Sequence, residues 1–244
     1  MRKTLLVHGA WHTGDCWKEL INALKTHGND VCALTLPGHA ASEQENLERI
    51  GLSTYKDAVL HYLDTLKEPV HLVGHSMSGI VLLEVASVMP EKIASLHFIS
   101  AFIPKPRSES IFDISTQFAS KGLGPYLKVE TESNRLILEK SSQVGDILYG
   151  ENITFPGRSE CIASLVDQPL SPMGAKVNWS PDIIKKISNV QVIICTEDKC
   201  VPPHEQIKMA NNLPHCNMAE INAAHSPEIT CPEKLAELLI SAMN

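Results

Sequence analysis

No stretch of the sequence approaches the length of a membrane span, which takes about 20 consecutive apolar residues, so no membrane partner is expected. The charge balance is not basic: a net charge of −7 disfavours nucleic acid or an anionic surface as the main partner. The cysteines form no C-x-x-C pair and the histidines no H-E-x-x-H, so no metal site is expected. His71 and His75 are four apart, but on a strand and its exit rather than on a helix face. The chain has no internal repeats and no low-complexity tail. Seven cysteines, an odd number scattered without a secretory signal, predict reduced thiols and a cytoplasmic location. The start, 1–9, is similar to a signal peptide, but its apolar part is short and runs into a glycine turn, so it reads as a first strand.

What is present fits one domain, 1–244, with 43% hydrophobic and 20% charged residues. Apolar runs at 4–7, 31–36, 70–74, 93–100, 190–195 and 217–221 alternate with segments of helical period at 15–24, 54–67, 181–187, 203–213 and 232–243. Near-continuous apolar strands alternating with helices predict an α/β fold, a mostly parallel sheet of about six strands covered on both faces. Ala58, Leu60, Leu63 and Leu66 are the expected apolar face of the helix at 54–67. The rhythm breaks from 104 to 172, where 128–130 and 136–138 flank a hairpin turn and 158–166 reads as helical. So long an interruption predicts a lid inserted after the fourth strand, with the core at about 1–103 and 173–244.

The chain is organised around Gly74-His75-Ser76-Met77-Ser78-Gly79, between the strand at 70–74 and a long apolar helix. A serine in such a tight strand-to-helix turn has its oxygen exposed in a strained backbone, the arrangement of a nucleophile elbow. The usual G-x-S-x-G is altered, since Ser78 stands where the second glycine is expected. Serine is small enough to fill that place, and its hydroxyl is expected to do no more than that.

A serine hydroxyl needs a base to take its proton and an acid to orient the base. In open α/β sheets, working residues collect at the carboxyl ends of strands. The loop after 190–195 offers Asp198, with Glu197 as a competitor, and the loop after 217–221 offers His225. Ser76, Asp198 and His225 thus follow in the order nucleophile, acid, base. Oxyanion donors are expected at the backbone N–H of Met77 and of Ala10, which follows the first strand in His8-Gly9-Ala10. Trp17 and His75 are expected to pack, and His8 to be structural though near the site.

These blocks, HGAWHTGDCW at 8–17, PGH at 37–39, GHSMSG at 74–79, TEDK at 196–199 and AAHSP at 223–227, resemble the α/β-hydrolase superfamily from about residue 4 to 243. The opening block and the lid segment LVDQPLSP at 165–172 are similar to the methylesterase and hydroxynitrile-lyase group. The resemblance implies an α/β-hydrolase fold, no cofactor, small carboxylic esters as substrates and homodimers as a state found in the group. The lyase branch has threonine after the His-Gly pair and lysine after the catalytic histidine. Ala10 and Ser226 stand there instead, which favours ester hydrolysis. His8, Trp11, Phe102, Tyr126, Leu165, Leu170 and Met173 are candidate substrate contacts, joined from the lid and its edge by Ile103, Phe118 and Leu123. Two alternatives remain: a ligand sensor with little turnover on the same scaffold, and an enzyme breaking a C–C or cyanohydrin bond.

Overall fold

The computed structural model describes residues 3–151 and 157–243; Met1, Arg2 and the lid positions 152–156 lie outside the described residues. The order of elements begins β1 (Lys3–Val7), α1 (Lys18–Thr26), β2 (Asp30–Leu34), α2 (Leu52–Asp64), β3 (Val70–His75), α3 (Ser78–Val88) and β4 (Ile93–Ile99). The interrupted region carries α4 (Ile111–Ser115), β5 (Leu127–Glu130), β6 (Arg135–Leu138), α5 (Ser142–Tyr149), α6 (Arg158–Ala163), β7 (Gln168–Pro169) and α7 (Ser171–Gly174). Then follow α8 (Pro181–Ile184), β8 (Val190–Cys195), α9 (Pro203–Ala210), β9 (Asn217–Ile221), α10 (Pro227–Thr230) and α11 (Pro232–Met243).

Six strands form one sheet in the order β2-β1-β3-β4-β8-β9, with every pairing parallel. The chain reverses direction across the sheet at β1, which pairs β2 on one side and β3 on the other. Such a switch point opens a crevice at the carboxyl ends of the strands. Alternate residues feed two separate cores, as a period of two requires. Leu5, Val7, Leu72, Val192 and Ile194 join the core that contains α2 and α3, whereas Leu6, Val73, Ile193 and Cys195 join the one beneath α1 and α11. Helix α3 is apolar nearly all round, and eight of its eleven residues are buried, as the central helix of the site should be.

The buried face of α2 is Leu52, Tyr55, Val59 and Leu63. Of the expected face, Leu63 is fully buried and Leu60 and Leu66 pack partly buried against the core, while Ala58 is half-buried; the face centres instead on Tyr55 and Val59, both fully buried. The hairpin is present as β5 and β6, antiparallel with Leu127 opposite Leu138. A third strand that the sequence did not suggest, β7, adds to β6 through only two residue pairs. Among the described residues no helix is long and apolar enough to cross a membrane.

A polar thread crosses the middle of the sheet, well before the strand ends. His71 Nδ1–H donates to Ser95 Oγ at 2.7 Å, Ser95 to His97 Nε2 at 2.7 Å, and His97 Nδ1–H to Gln191 Oε1 at 2.9 Å. His97 thus has the bonds of a neutral imidazole. Burial holds His97 at about 4, below its ordinary 6.5, and does the same to His12 and His39. A folded-state value below the unfolded one gives stability that is present above pH 6.5 and lost as pH falls towards 4. Unfolding free energy measured with urea should therefore decline steadily across that window, and His97→Gln should flatten part of the decline. An unchanged slope in the variant would contradict the assignment of neutral rings.

Candidate active site

The elbow is built by backbone contacts. Ser76 has φ 52, in the left-handed region, and its N–H donates to Ile99 O at 3.0 Å while its own carbonyl accepts from Phe102 N at 3.0 Å. Such a conformation is strained for a residue with a side chain and persists only where surrounding structure fixes it. Here the exit of β4 fixes it from both sides. Two glycines make the approach possible: a Cβ at Gly74 would lie 2.7 Å from Leu82 Cδ1, and one at Gly79 would collide with the Phe102 carbonyl. The glycine that the second packing contact needs is therefore Gly79.

Ser78 is not a passive filler, which corrects the expectation from the sequence. Its hydroxyl is fully buried and donates to the backbone carbonyl of His8, tying the start of α3 to the loop after β1. Gly9 lies so close to the elbow that a Cβ there would stand 2.8 Å from His75 Nδ1.

Ser76 Oγ is 2.9 Å from His225 Nε2, and His225 Nδ1 is 2.8 Å from Asp198 Oδ2. All three are buried. Glu197 is exposed and points elsewhere, so the competition for the acid position resolves to Asp198. Asp198 Oδ1 accepts from Cys200 N at 2.7 Å and Val201 N at 2.9 Å. Its Oδ2 accepts from Gln206 Nε2 at 3.0 Å and from the Ser100 hydroxyl. Burial alone would lower the affinity of His225 for a proton; the Asp198 carboxylate overcomes this and holds it well above the ordinary histidine value.

Ser100 and Gln206 were missed by sequence reasoning. Ser100 stands just past β4 with φ 44 and Oγ 3.1 Å from His225 Nδ1. The rule that found Asp198 and His225, residues at strand ends, reaches Ser100 as well when applied to β4. Gln206 lies on α9, which no motif marks.

A small cavity of about 60 Å³ opens at Ser76 and is lined by Ala10, Trp11, Met77, Phe102, Ile111, Phe112, Phe118, Leu123, Leu136, Met173 and Cys200, among others. Its walls are mostly carbon, with no Lys or Arg among the described residues that line it. Ala10 and Met77 sit beside Ser76 here, where oxyanion donors are needed. Of the candidate contacts, Trp11, Phe102 and Met173 line this cavity. His8, Tyr126, Leu165 and Leu170 do not. His8 Nδ1–H donates to Gly9 O at 2.8 Å and its Nε2 accepts from Leu36 N at 3.0 Å, so both nitrogens serve the loop. Leu165 is 2% exposed within the core, and Tyr126 and Leu170 pack partly buried against that core instead. Ile103 is likewise core, whereas Phe118 and Leu123 do face the cavity. Trp11 has φ 62, and the lid straps it in place: its Nε1 donates to Leu136 O at 2.9 Å and its carbonyl accepts from Val166 N at 2.8 Å. A larger cavity of about 460 Å³, lined by His12, Cys16, Thr35, Tyr149 and Cys161 among others, includes none of the three central residues.

A profile of the alpha/beta hydrolase family matches residues 4–238, and the chain belongs to that family. It is similar to methylesterase 7 of Arabidopsis thaliana, 26% identical over 257 residues that cover 98% of this chain and 95% of the relative. It is also similar to putative methylesterase 15, chloroplastic, of the same plant, 25% identical over 98% of this chain but spanning only 56% of that protein's length. Among solved structures, a pyrethroid hydrolase from Sphingobium faniae JZ-2 has the same fold, with a TM-score of 0.84 at 21% identity over 99% of this chain and 97% of that one.

The Ser78 bond makes a sharp expectation. Ser78→Ala leaves a buried carbonyl without its donor and should lower unfolding free energy by about 1–3 kcal/mol. Ser78→Gly restores the usual glycine spacing yet should be no more stable than the alanine variant, since glycine in a helix costs about 0.5–1 kcal/mol more. Denaturant unfolding of the pair decides whether the hydroxyl or the small volume matters.

Proposed function

We propose that the protein is a carboxylic ester hydrolase that works through an acyl-enzyme on Ser76. The observation that carries this is the unbroken line from Ser76 Oγ to His225 and on to a fully hydrogen-bonded Asp198. Ser76 Oγ attacks the ester carbonyl while His225 Nε2 takes its proton. The negative charge that develops on the carbonyl oxygen meets the backbone N–H groups of Ala10 and Met77. His225 returns the proton to the departing alcohol, leaving the acyl group on Ser76. A water, deprotonated by the same nitrogen, attacks that acyl group, and His225 returns the proton to Ser76 Oγ as the acid leaves. Asp198 stabilises the imidazolium at both stages without itself becoming protonated.

The cavity narrows the substrate class. Its volume of about 60 Å³ holds roughly four to six waters' worth of space on the same measure, so a compact group enters it. The apolar lining favours an uncharged one, because a buried anion would have no cation to meet. Small, neutral carboxylic esters fit, and the names of the methylesterase relatives support the same choice. We also place the protein in a reducing, cytoplasmic setting, a reading supported by its unpaired cysteines.

Two measurements test this. Release of p-nitrophenol from the acetate ester should exceed that from long-chain esters, and Ser76→Ala should reduce it on the order of 10⁴-fold or more. Activity retained in Ser76→Ala would refute the mechanism. The raised proton affinity of His225 places the acid limb of kcat/KM above pH 6.5, the ordinary histidine value, with rate lost as pH falls through it. Asp198→Asn, which removes the cause, should move that limb down and lower the maximum; a limb that stays put would separate it from His225.

A further inference from the structure

Behind His225 lies a carboxyl group that this mechanism leaves unused. Glu228, on α10, is completely buried, and neither of its side-chain oxygens has a hydrogen bond of normal geometry among the described residues. Its polar neighbour is His75 Nδ1, 3.4 Å from Oε1. The other ring nitrogen, His75 Nε2, is 2.8 Å from the backbone carbonyl of His225. The two rings lie 4.7 Å apart, centre to centre.

The protonation pattern follows from what each atom can do. A carbonyl oxygen only accepts, so His75 Nε2 carries a hydrogen. A neutral His75 then presents a lone pair at Nδ1, directly towards Glu228. A carboxylate there would set acceptor against acceptor in a dry interior, so an additional proton is needed between the two groups. The surroundings decide where it sits. The titratable groups coupled to Glu228 are Cys16 in the turn before α1, Tyr149 on α5, Cys195 on β8, Cys231 after α10, and the Asp198–His225 pair. The charged residues of α1 and α11, which also pack against α10, are all solvent-exposed. Among the described residues no lysine or arginine forms an ion pair with Glu228, and Arg158, near Tyr149, pairs with Asp146 instead, so the neutral arrangement costs least. Burial pushes the Glu228 carboxyl up to about 8 and drives His75 well below its ordinary value, which agrees with a neutral acid against a neutral ring.

We infer that Glu228 and His75 are a positioning pair for the catalytic base: Glu228, as a neutral acid, donates to His75 Nδ1, and His75 Nε2–H in turn holds the carbonyl of His225. The pair fixes His225 through its backbone carbonyl. This rests on the assignment of Ser76 and His225 as nucleophile and base. No bond is made or broken to the substrate by either residue. When the pair loses its proton at alkaline pH, the contact at Nδ1 turns repulsive and a carboxylate appears beside the base, so the nucleophile slackens.

The test compares the native protein with Glu228→Gln, whose amide donates to Nδ1 but has no proton to lose, and Glu228→Met, which fills the space without donating. The rate at which a fluorophosphonate labels Ser76 is followed across pH. At neutral pH the glutamine variant should stay within about twofold of native and the methionine variant fall about tenfold, the effect of one lost hydrogen bond. Native labelling should decline through about pH 8, and both variants should lack that decline. In parallel, infrared difference spectra of native against Glu228→Gln should show a protonated carboxylic acid band at neutral pH that vanishes over the same alkaline range. Absence of that band overturns the inference, as do equal neutral rates in the two variants or the native alkaline decline persisting in Glu228→Gln. A native protein that the reagent does not label would count against the esterase assignment instead, and the infrared titration would still decide the state of Glu228.

Discussion

The site depends on one close approach, that of the turn at Ser76 to the exit of β4. The left-handed backbone at Ser76 is unfavourable by itself. It is held because Ile99 and Phe102 bracket it with two backbone hydrogen bonds, and because Gly79 leaves room for the Phe102 carbonyl. The same exit carries Ser100, also at positive φ, whose hydroxyl reaches Asp198. The strand that braces Ser76 therefore also braces Asp198. Distances within the triad follow from this shared support, and flexible loop ends could not hold them as closely.

Electrostatics divides the buried histidines into two kinds. His8, His12, His39, His75 and His97 are all held below their ordinary value, and burial is the leading cause in each. The ring nitrogens of His8, His12, His39 and His97 serve as donor on one side and acceptor on the other, the pattern of neutral imidazole. His225 is equally buried but moves the opposite way, and the Asp198 carboxylate is the largest of the causes that raise it. A single base is thereby distinguished in a region crowded with imidazoles. The neutral rings nearby add no positive charge that would oppose protonation of His225 during turnover.

The sequence made the sheet legible because each strand is an apolar run bounded by polar turns, and β8 and β9 fall where the runs do. The triad was legible because its members follow strand ends, a rule that needs only strand positions. Ser100 obeys the same rule. Gln206 and Glu228 do not, since they reach the site from helices, where side-chain direction depends on packing that a linear pattern does not encode. The lid was legible as an interruption and not as a surface. Its elements are short, from the two residues of β7 to the eight of α5, so no period has room to reveal which side faces Ser76. Leu165, Leu170 and Tyr126 are candidates by their chemistry alone, and in the lid all three pack in or against the core without lining the cavity.

Ser78 connects these levels. A glycine at that place would satisfy the steric demand of a tight elbow and nothing else. The serine hydroxyl adds a bond to the His8 carbonyl, and the next residues of that loop are Gly9, pressed against the elbow, and Ala10, beside Ser76. Trp11 follows, fastened to the lid by its indole and its carbonyl. One continuous set of contacts thus runs from the nucleophile helix through the oxyanion loop to the lid. Preorganised donors are effective because they need not move as charge develops. A hydroxyl that ties the start of α3, next to Met77, to the loop bearing Ala10 holds the two proposed donors together, which makes the departure from the usual glycine a constraint on the site.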